Sequence, residues 1–187
     1  MPSVAYGRWI TTRRTQLDEI RQAHAAIGGM GRGRRYATQQ LNQAYVVLLA
    51  SHFQGYCRDL HTESVDFLVP KVPLPHFQAS IRKLLTQNLQ LKRSNANPGS
   101  IGDDFGRFGI DFWTEVKIKD PRNEARQTQL DELNRRRNEI AHQDFKSNAA
   151  LHLRHVLAWR VVCQHLARSF DEVMRHHLQY LTGAPPW

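Results

Sequence analysis

Cysteine is nearly absent: Cys57 and Cys163 are the whole complement in 187 residues, each inside an apolar helical pattern and neither in a Cys-x-x-Cys pair. That excludes a disulfide framework and a cysteine-based zinc module, and leaves both as small core residues. Long hydrophobic runs are missing too. The longest aliphatic stretch, Ala44 to Ala50, falls far short of the ~20 residues a bilayer-crossing helix needs, and MPSVAYGRWITTRRTQ has no apolar run of a secretion signal. A cytoplasmic protein with no membrane association is expected. Period-two alternation rich in Val, Ile and Thr is lacking, so no sheet is expected. No repeat, low-complexity tract or linker divides the chain, and its length suffices for one substantial core, so a single domain over residues 1–187 is expected.

What the chain does have is helical periodicity, which predicts an all-α bundle of about five to six helices with long second and last members. A first helix is expected over Trp9–Ile27, stopped by Gly28-Gly29 and followed by the basic stretch GGMGRGRR. The second runs from Thr38 to Phe67 with Leu41, Tyr45, Leu48, His52, Tyr56 and Leu60 on one face, His52 reading as a core histidine. VPKVPLP ends it. A third covers Pro75–Lys92 before the polar loop SNANPGS. Ser100 and Asp103 form a capping box for a fourth that ends near Val116. A fifth starts either at Asp120-Pro121 or at Thr128. The last spans Ala149–Leu181, with Val156, Trp159, Cys163, Leu166, Phe170, Val173 and Leu181 in one stripe.

Charge is strongly one-sided. The formal net charge is +9, and 20 of the 26 basic residues are arginine. Arginine grips phosphate bidentately and stacks on bases, so a polyanion such as nucleic acid is a plausible partner. Arginine also dominates the fifth helix, LDELNRRRNEIAHQDF, where Arg137 precedes His142 by five residues. Five residues turn an ideal helix by about 140°, so the two side chains share a site within one chain if the helix frays near Ala141. His142 is expected at the helix C-terminus, where the dipole favours a cation. Histidine exchanges a proton near neutral pH while arginine stays charged, a pairing suited to phosphodiester chemistry.

Spacing alone is weak. With 20 Arg and 10 His, about one such match arises by chance, and Arg160 with His165 is a second. Context separates them: around Arg137 stand Leu130 and Leu133, then Arg137-Asn138, then Ile140-Ala141-His142, whereas Arg160 lies mid-helix without those neighbours.

The Arg137–His142 string resembles the HEPN superfamily, whose mark is an Arg, four to six residues and a His, commonly with a polar residue after the Arg. Arg137, Asn138 and His142 occupy those positions, and a long apolar helix before the motif helix and a long closing helix after it match the layout. Two groups of single-domain HEPN proteins, RiboL-PSP being one, are the most similar. The resemblance implies an HEPN-like bundle, a homodimer and a metal-independent endoribonuclease in which a 2′-hydroxyl attacks the neighbouring phosphorus, with no cofactor. Arg137, Asn138 and His142 are then the catalytic set; Arg135, Arg136, Arg34 and Arg35 are candidates for RNA contact. A catalytically silent HEPN dimer binding RNA or protein is the alternative. The resemblance also implies a toxin–antitoxin or phage-defence setting with a cognate antitoxin or operon partner. Two departures stand out: Gln54 lies near where some relatives carry an acid, and Asp144 stands where other HEPN toxins have a modifiable tyrosine.

Other patterns read as structural. GGMGRGRR lacks the Lys-Ser/Thr ending of a phosphate-binding loop and is taken as a connector that can touch RNA. His152 with His155, and His176 with His177, lack a third metal ligand. Trp9, Trp113 and Trp159 are packing residues, and Trp187 behind two prolines is expected to be mobile.

Overall fold

The computed structural model describes residues 1–27, 34–143 and 151–187, with backbone alone for 27 and 34–36. Among these residues there is no strand, and no helix is long and apolar enough to cross a membrane. The helices are α1 (Val4–Arg8), α2 (Arg14–Ile27), α3 (Arg34–Leu68), α4 (Pro75–Thr86), α5 (Gln90–Arg93), α6 (Pro98–Gly106), α7 (Phe112–Lys119), α8 (Asn123–His142) and α9 (Leu153–Thr182). The all-α class and the long early and closing helices are as expected. The division into five to six helices is corrected, because two of the expected helices are broken.

Helix α3, 35 residues and about 50 Å long, is the spine. It packs against α1, α2, α8 and α9. Tyr45, Val46, Leu49, Phe53, Tyr56, Cys57 and Leu60 are fully buried, whereas Leu41, Leu48 and His52 are only half-buried. The expected face thus holds at Tyr45, Tyr56 and Leu60, and burial spreads beyond it to Val46, Leu49, Phe53 and Cys57, because neighbours cover α3 from several directions and no single stripe carries the burial. Phe53 meets Trp9 edge-on at 5.7 Å and Phe170 at 5.9 Å, while Phe112 stacks on Phe105 at 4.5 Å. The Tyr56 hydroxyl donates to the Ala167 carbonyl at 2.6 Å, satisfying a polar group deep in this aromatic core.

The N-terminal helix begins earlier than expected because Ser3 caps it. Its hydroxyl accepts from the Tyr6 N–H and donates to buried Asp171, while Glu63 of α3 accepts from the Val4 and Ala5 N–H groups at 2.9 Å each. A π-helical turn, Trp9–Arg13, joins α1 to α2. It delivers Arg13 onto α3, where the guanidinium donates to the His52 carbonyl and meets Asp59 Oδ2 at 2.7 Å. Gly55 makes room, since a Cβ there would stand 2.4 Å from Arg13 Nη1.

The expected third helix, Pro75–Lys92, is interrupted at Gln87–Leu89, with Asn88 in the left-handed region (φ 54°). Asp104 of α6 and Arg107, the residue that caps its end, hold the break. Fully buried Asp104 accepts from the Gln90 and Leu91 N–H groups at 2.9 and 2.8 Å, and Arg107 donates to the carbonyls of Leu84, Gln87 and Asn88. One side chain caps the start of α5 while the other caps the end of α4. The expected fourth helix is likewise split at Gly109 (φ 78°), and Asp111 restarts it by accepting from the Thr114 N–H. Its N-cap is Asn97, whose side chain accepts from the Ser100 N–H at 2.9 Å, with Pro98 at the first position; Ser100 lies inside the helix. Helix α8 starts at Asn123, closer to the Asp120-Pro121 alternative than to Thr128. The expected Ala149 start of the last helix lies outside the described residues. Trp187 packs against the core and is not the free tail expected of it.

His61 is buried between Phe105 and Phe108, with ring centroids at 5.6 and 5.1 Å. Burial outweighs the nearby Asp104 and lowers its pKa from 6.5 to about 4. The unfolded chain therefore binds a proton that the folded chain refuses between those pH values. Stability is full above pH 6.5 and falls as pH drops toward 4, by about 3 kcal/mol from this residue. Urea unfolding of His61→Phe from pH 7 to 4 should lack this portion of the loss; an unchanged pH dependence would refute the assignment. Gly55→Ala gives a second check. A mid-helix Gly→Ala change ordinarily gains about 0.5–1 kcal/mol, but here it should cost about 1–2 kcal/mol by displacing Arg13, and a variant as stable as the parent would contradict this packing.

Candidate functional site

Helix α8 buries Leu130, Leu133 and Asn134 and presents Arg137 next on the same inward side, three, four and seven positions on. The helix remains regular through His142, which is its last residue. Gln143 then turns left-handed (φ 55°) and its N–H closes back on Glu139 and Ile140 carbonyls. The helix does not fray near Ala141, so the condition under which Arg137 and His142 would share a site within one chain is not met. Within one chain they project about 140° apart. Arg137 is half-buried, and His142 is exposed at the negative end of the helix dipole.

Asn138 links them. Its Oδ1 accepts from Asn95 Nδ2 at 2.6 Å and from Arg137 Nη1 at 3.3 Å. With both donors on the oxygen, the amide nitrogen is turned outward. Asn138 is exposed and lies one turn before His142 on the same face, so its NH2 and the imidazole border the same surface.

The loop that supplies Asn95 is held from two sides. From α8, Asn134 donates to the Ala96 carbonyl at 3.0 Å. From α3, Gln54 donates one nitrogen to the carbonyls of Leu91 and Ser94, at 2.8 and 2.7 Å. The Gln54 amide therefore has work that a carboxylate could not do, because an ionised acid has no proton to donate. Asn95 and Gln54 are the residues that sequence alone did not mark as supports of the site: the loop SNANPGS reads only as polar, and nothing local says that it docks on α8.

The flanking arginines differ. Arg136 is mostly buried and pairs with Glu139 Oε2 at 2.7 Å, while Arg135 is exposed and reaches Glu139 Oε1 at 3.5 Å and Glu132 at 3.9 Å. Arg135 is thus more available to a ligand than Arg136. Arg34 and Arg35 open α3, but their side chains, like Asp144, lie outside the described residues. The second Arg–His match is structural at its arginine: Arg160 binds Asp18 Oδ1 at 2.8 Å and Tyr45 Oη at 3.0 Å, pinning α9 to α2 and α3. Among the described residues no group of three His, Cys, Asp or Glu side chains gathers as a metal site would require. His155 pairs with Arg154 and His177 with the Phe108 carbonyl.

Beside the end of α8 runs a groove of about 850 Å³ between α2, α3 and α8, floored by Ile20, Ala44, Val47, Leu48 and Ile140 and edged by Gln40, Gln43, Ser51 and Gln143. Of α8 and its cap, Ile140 and Gln143 line this groove; the half-buried arginine, the fixed amide and the exposed histidine at the helix end form an arrangement that can bind a phosphate and move a proton.

The RiboL-PSP-HEPN family model matches residues 12–176, from the end of the π turn into the last third of α9 and across the whole Arg137–His142 stretch. The chain belongs to the RiboL-PSP-HEPN family. No curated protein and no solved structure matches it. HEPN domains commonly form dimers and bind RNA, so membership supports a ribonuclease or RNA-binding role for this RiboL-PSP-HEPN chain.

Gln54→Glu should destabilise the protein by about 1–3 kcal/mol at pH 7, because it sets a carboxylate against two carbonyls. The loss should shrink below pH 5 as the acid protonates and can donate. A variant of parental stability at pH 7 would argue against this clamp.

Proposed function

We propose that this RiboL-PSP-HEPN protein is a metal-independent endoribonuclease, working as a two-fold dimer in which the α8 motifs of two copies meet across one cleft. The observation that carries this reading is the Arg137–Asn138–Asn95 hydrogen-bond set, with His142 exposed one turn beyond it at the helix end. Arg137 and His142 of one chain point away from each other, and pairing two motifs offers each Arg137 a histidine from the other copy.

In this mechanism the 2′-oxygen attacks the adjacent phosphorus as one His142 takes its proton. The bond to the 5′-oxygen then breaks, and the other His142 donates a proton to it. The products are a 2′,3′-cyclic phosphate and a 5′-hydroxyl. Arg137 stabilises the charge that builds on the non-bridging oxygens, and the Asn138 NH2 holds phosphate or the imidazole in register. Exposed Arg135 contacts the RNA backbone. A toxin or phage-defence role, with a cognate protein that silences the site, fits this activity.

Labelled RNA incubated with the protein in excess EDTA should be cut to fragments ending in cyclic phosphate. Arg137→Ala and His142→Ala should each lower the rate by about 10²–10⁴-fold. Cleavage that survives both substitutions, or that needs a divalent metal, would sink the proposal. RNA binding without cleavage would select the catalytically silent HEPN dimer.

A further inference from the structure

A second groove, of about 490 Å³, opens where the π turn crosses α3, and the catalytic scheme does not use it. π turns are rare and often mark functional positions. This one places Arg13 over Gly55, and Arg8 and Arg58 line the same groove with Asp59 as the acid among its lining residues. Arg13 meets Asp59 at 2.7 Å and Arg8 lies 3.8 Å from it; with Arg58 the groove wall carries three guanidinium groups against one carboxylate, an excess of two positive charges. Nε2 of His52, also on the groove wall, is buried without a hydrogen-bond partner. Burial and the Arg13 charge lower the His52 pKa, which leaves the ring neutral at pH 7.

Ser51 lines both this groove and the apolar one beside α8. The two meet at Ser51 and follow one face of α3, basic at Arg8, Arg13 and Arg58, aliphatic at Ala44, Val47 and Leu48, and ending at Ile140 and Gln143 by the C-terminal end of α8. Residues 44 and 58 lie about 20 Å apart along the helix. A single nucleic-acid strand presents this alternation, with phosphates that guanidinium forks grip and base faces that cover an apolar floor. We infer that the Arg8–Arg13–Arg58 groove seats a backbone phosphate of the RNA strand whose adjoining length runs along α3 toward the C-terminal end of α8. The inference rests on the reading that RNA is the ligand of this protein, but not on cleavage.

The test uses the full chain and a fluorescein-labelled single-stranded RNA with every 2′-hydroxyl methylated, which cannot be cut. Fluorescence anisotropy over a salt series should show Arg8→Glu and Arg58→Glu each weakening binding about tenfold, with a shallower salt dependence by about 0.7–1 per lost phosphate contact. Lys83→Glu, the same charge change on exposed α4, should stay within about twofold of the parent. Circular dichroism and melting curves check that each variant is folded. Parental affinity in folded Arg8→Glu and Arg58→Glu, an equal loss in Lys83→Glu, or no binding by the parent would overturn the inference. Selective loss at Arg8 and Arg58 would uphold it even where unmethylated RNA is not cleaved, an outcome that defeats the catalytic reading alone.

Discussion

A helix of 35 residues with large apolar side chains around much of its circumference cannot be covered from one side. Helix α3 has Tyr45, Leu49, Phe53, Tyr56 and Leu60 fully buried, and α1, α2, α8 and α9 all pack on it. Each neighbour is placed by that need. The π turn follows from it as well, since it lets one N-terminal segment bury Trp9 against Phe53 and still lay Arg13 across Gly55. Burial on this scale supplies the dominant favourable term, and Tyr56, Asp104 and Asn123, carried inside, find partners in the backbone of the elements they touch.

The candidate site inherits its rigidity from the same spine. Gln54 on α3 and Asn134 on α8 hold the Ser94–Asn97 loop from opposite sides, and Asn95 of that loop fixes the amide of Asn138. Arg137 lies on the inward side of α8 while His142 sits at its solvent end, so one short helix offers a sheltered cation and an accessible imidazole. Family membership bears on an RNA-directed role, and the geometry of one chain explains why a pair of chains suits such a reaction better than a single copy.

Much of this was legible beforehand. Helical class, the approximate span of α3, the end of α9 near Leu181 and the composition of the motif helix are properties of neighbouring residues, because helical periodicity and end signals act within about four positions. The two broken helices were not legible. The Asp104 cap on Gln90 comes from 14 positions away, and Ser100, which reads as an N-cap, is displaced by Asn97 and Pro98 just upstream. The buried face of α3 was legible at Tyr45, Tyr56 and Leu60 but not at Leu49 or Phe53, because periodicity within a helix carries no record of how many neighbours surround it.

The sequence by itself determined an all-helical chain, its family, and a short string in which an arginine, an asparagine and a histidine recur at the right spacing. Tertiary structure decided that Asn138 faces Asn95 with its oxygen, that Gln54 must be an amide, and that Arg160 is a strut where Arg137 is not. Local chemistry sets what a segment can form, whereas orientation depends on hydrogen bonds to partners 37 to 142 residues away, and those exist only once the core has closed around α3.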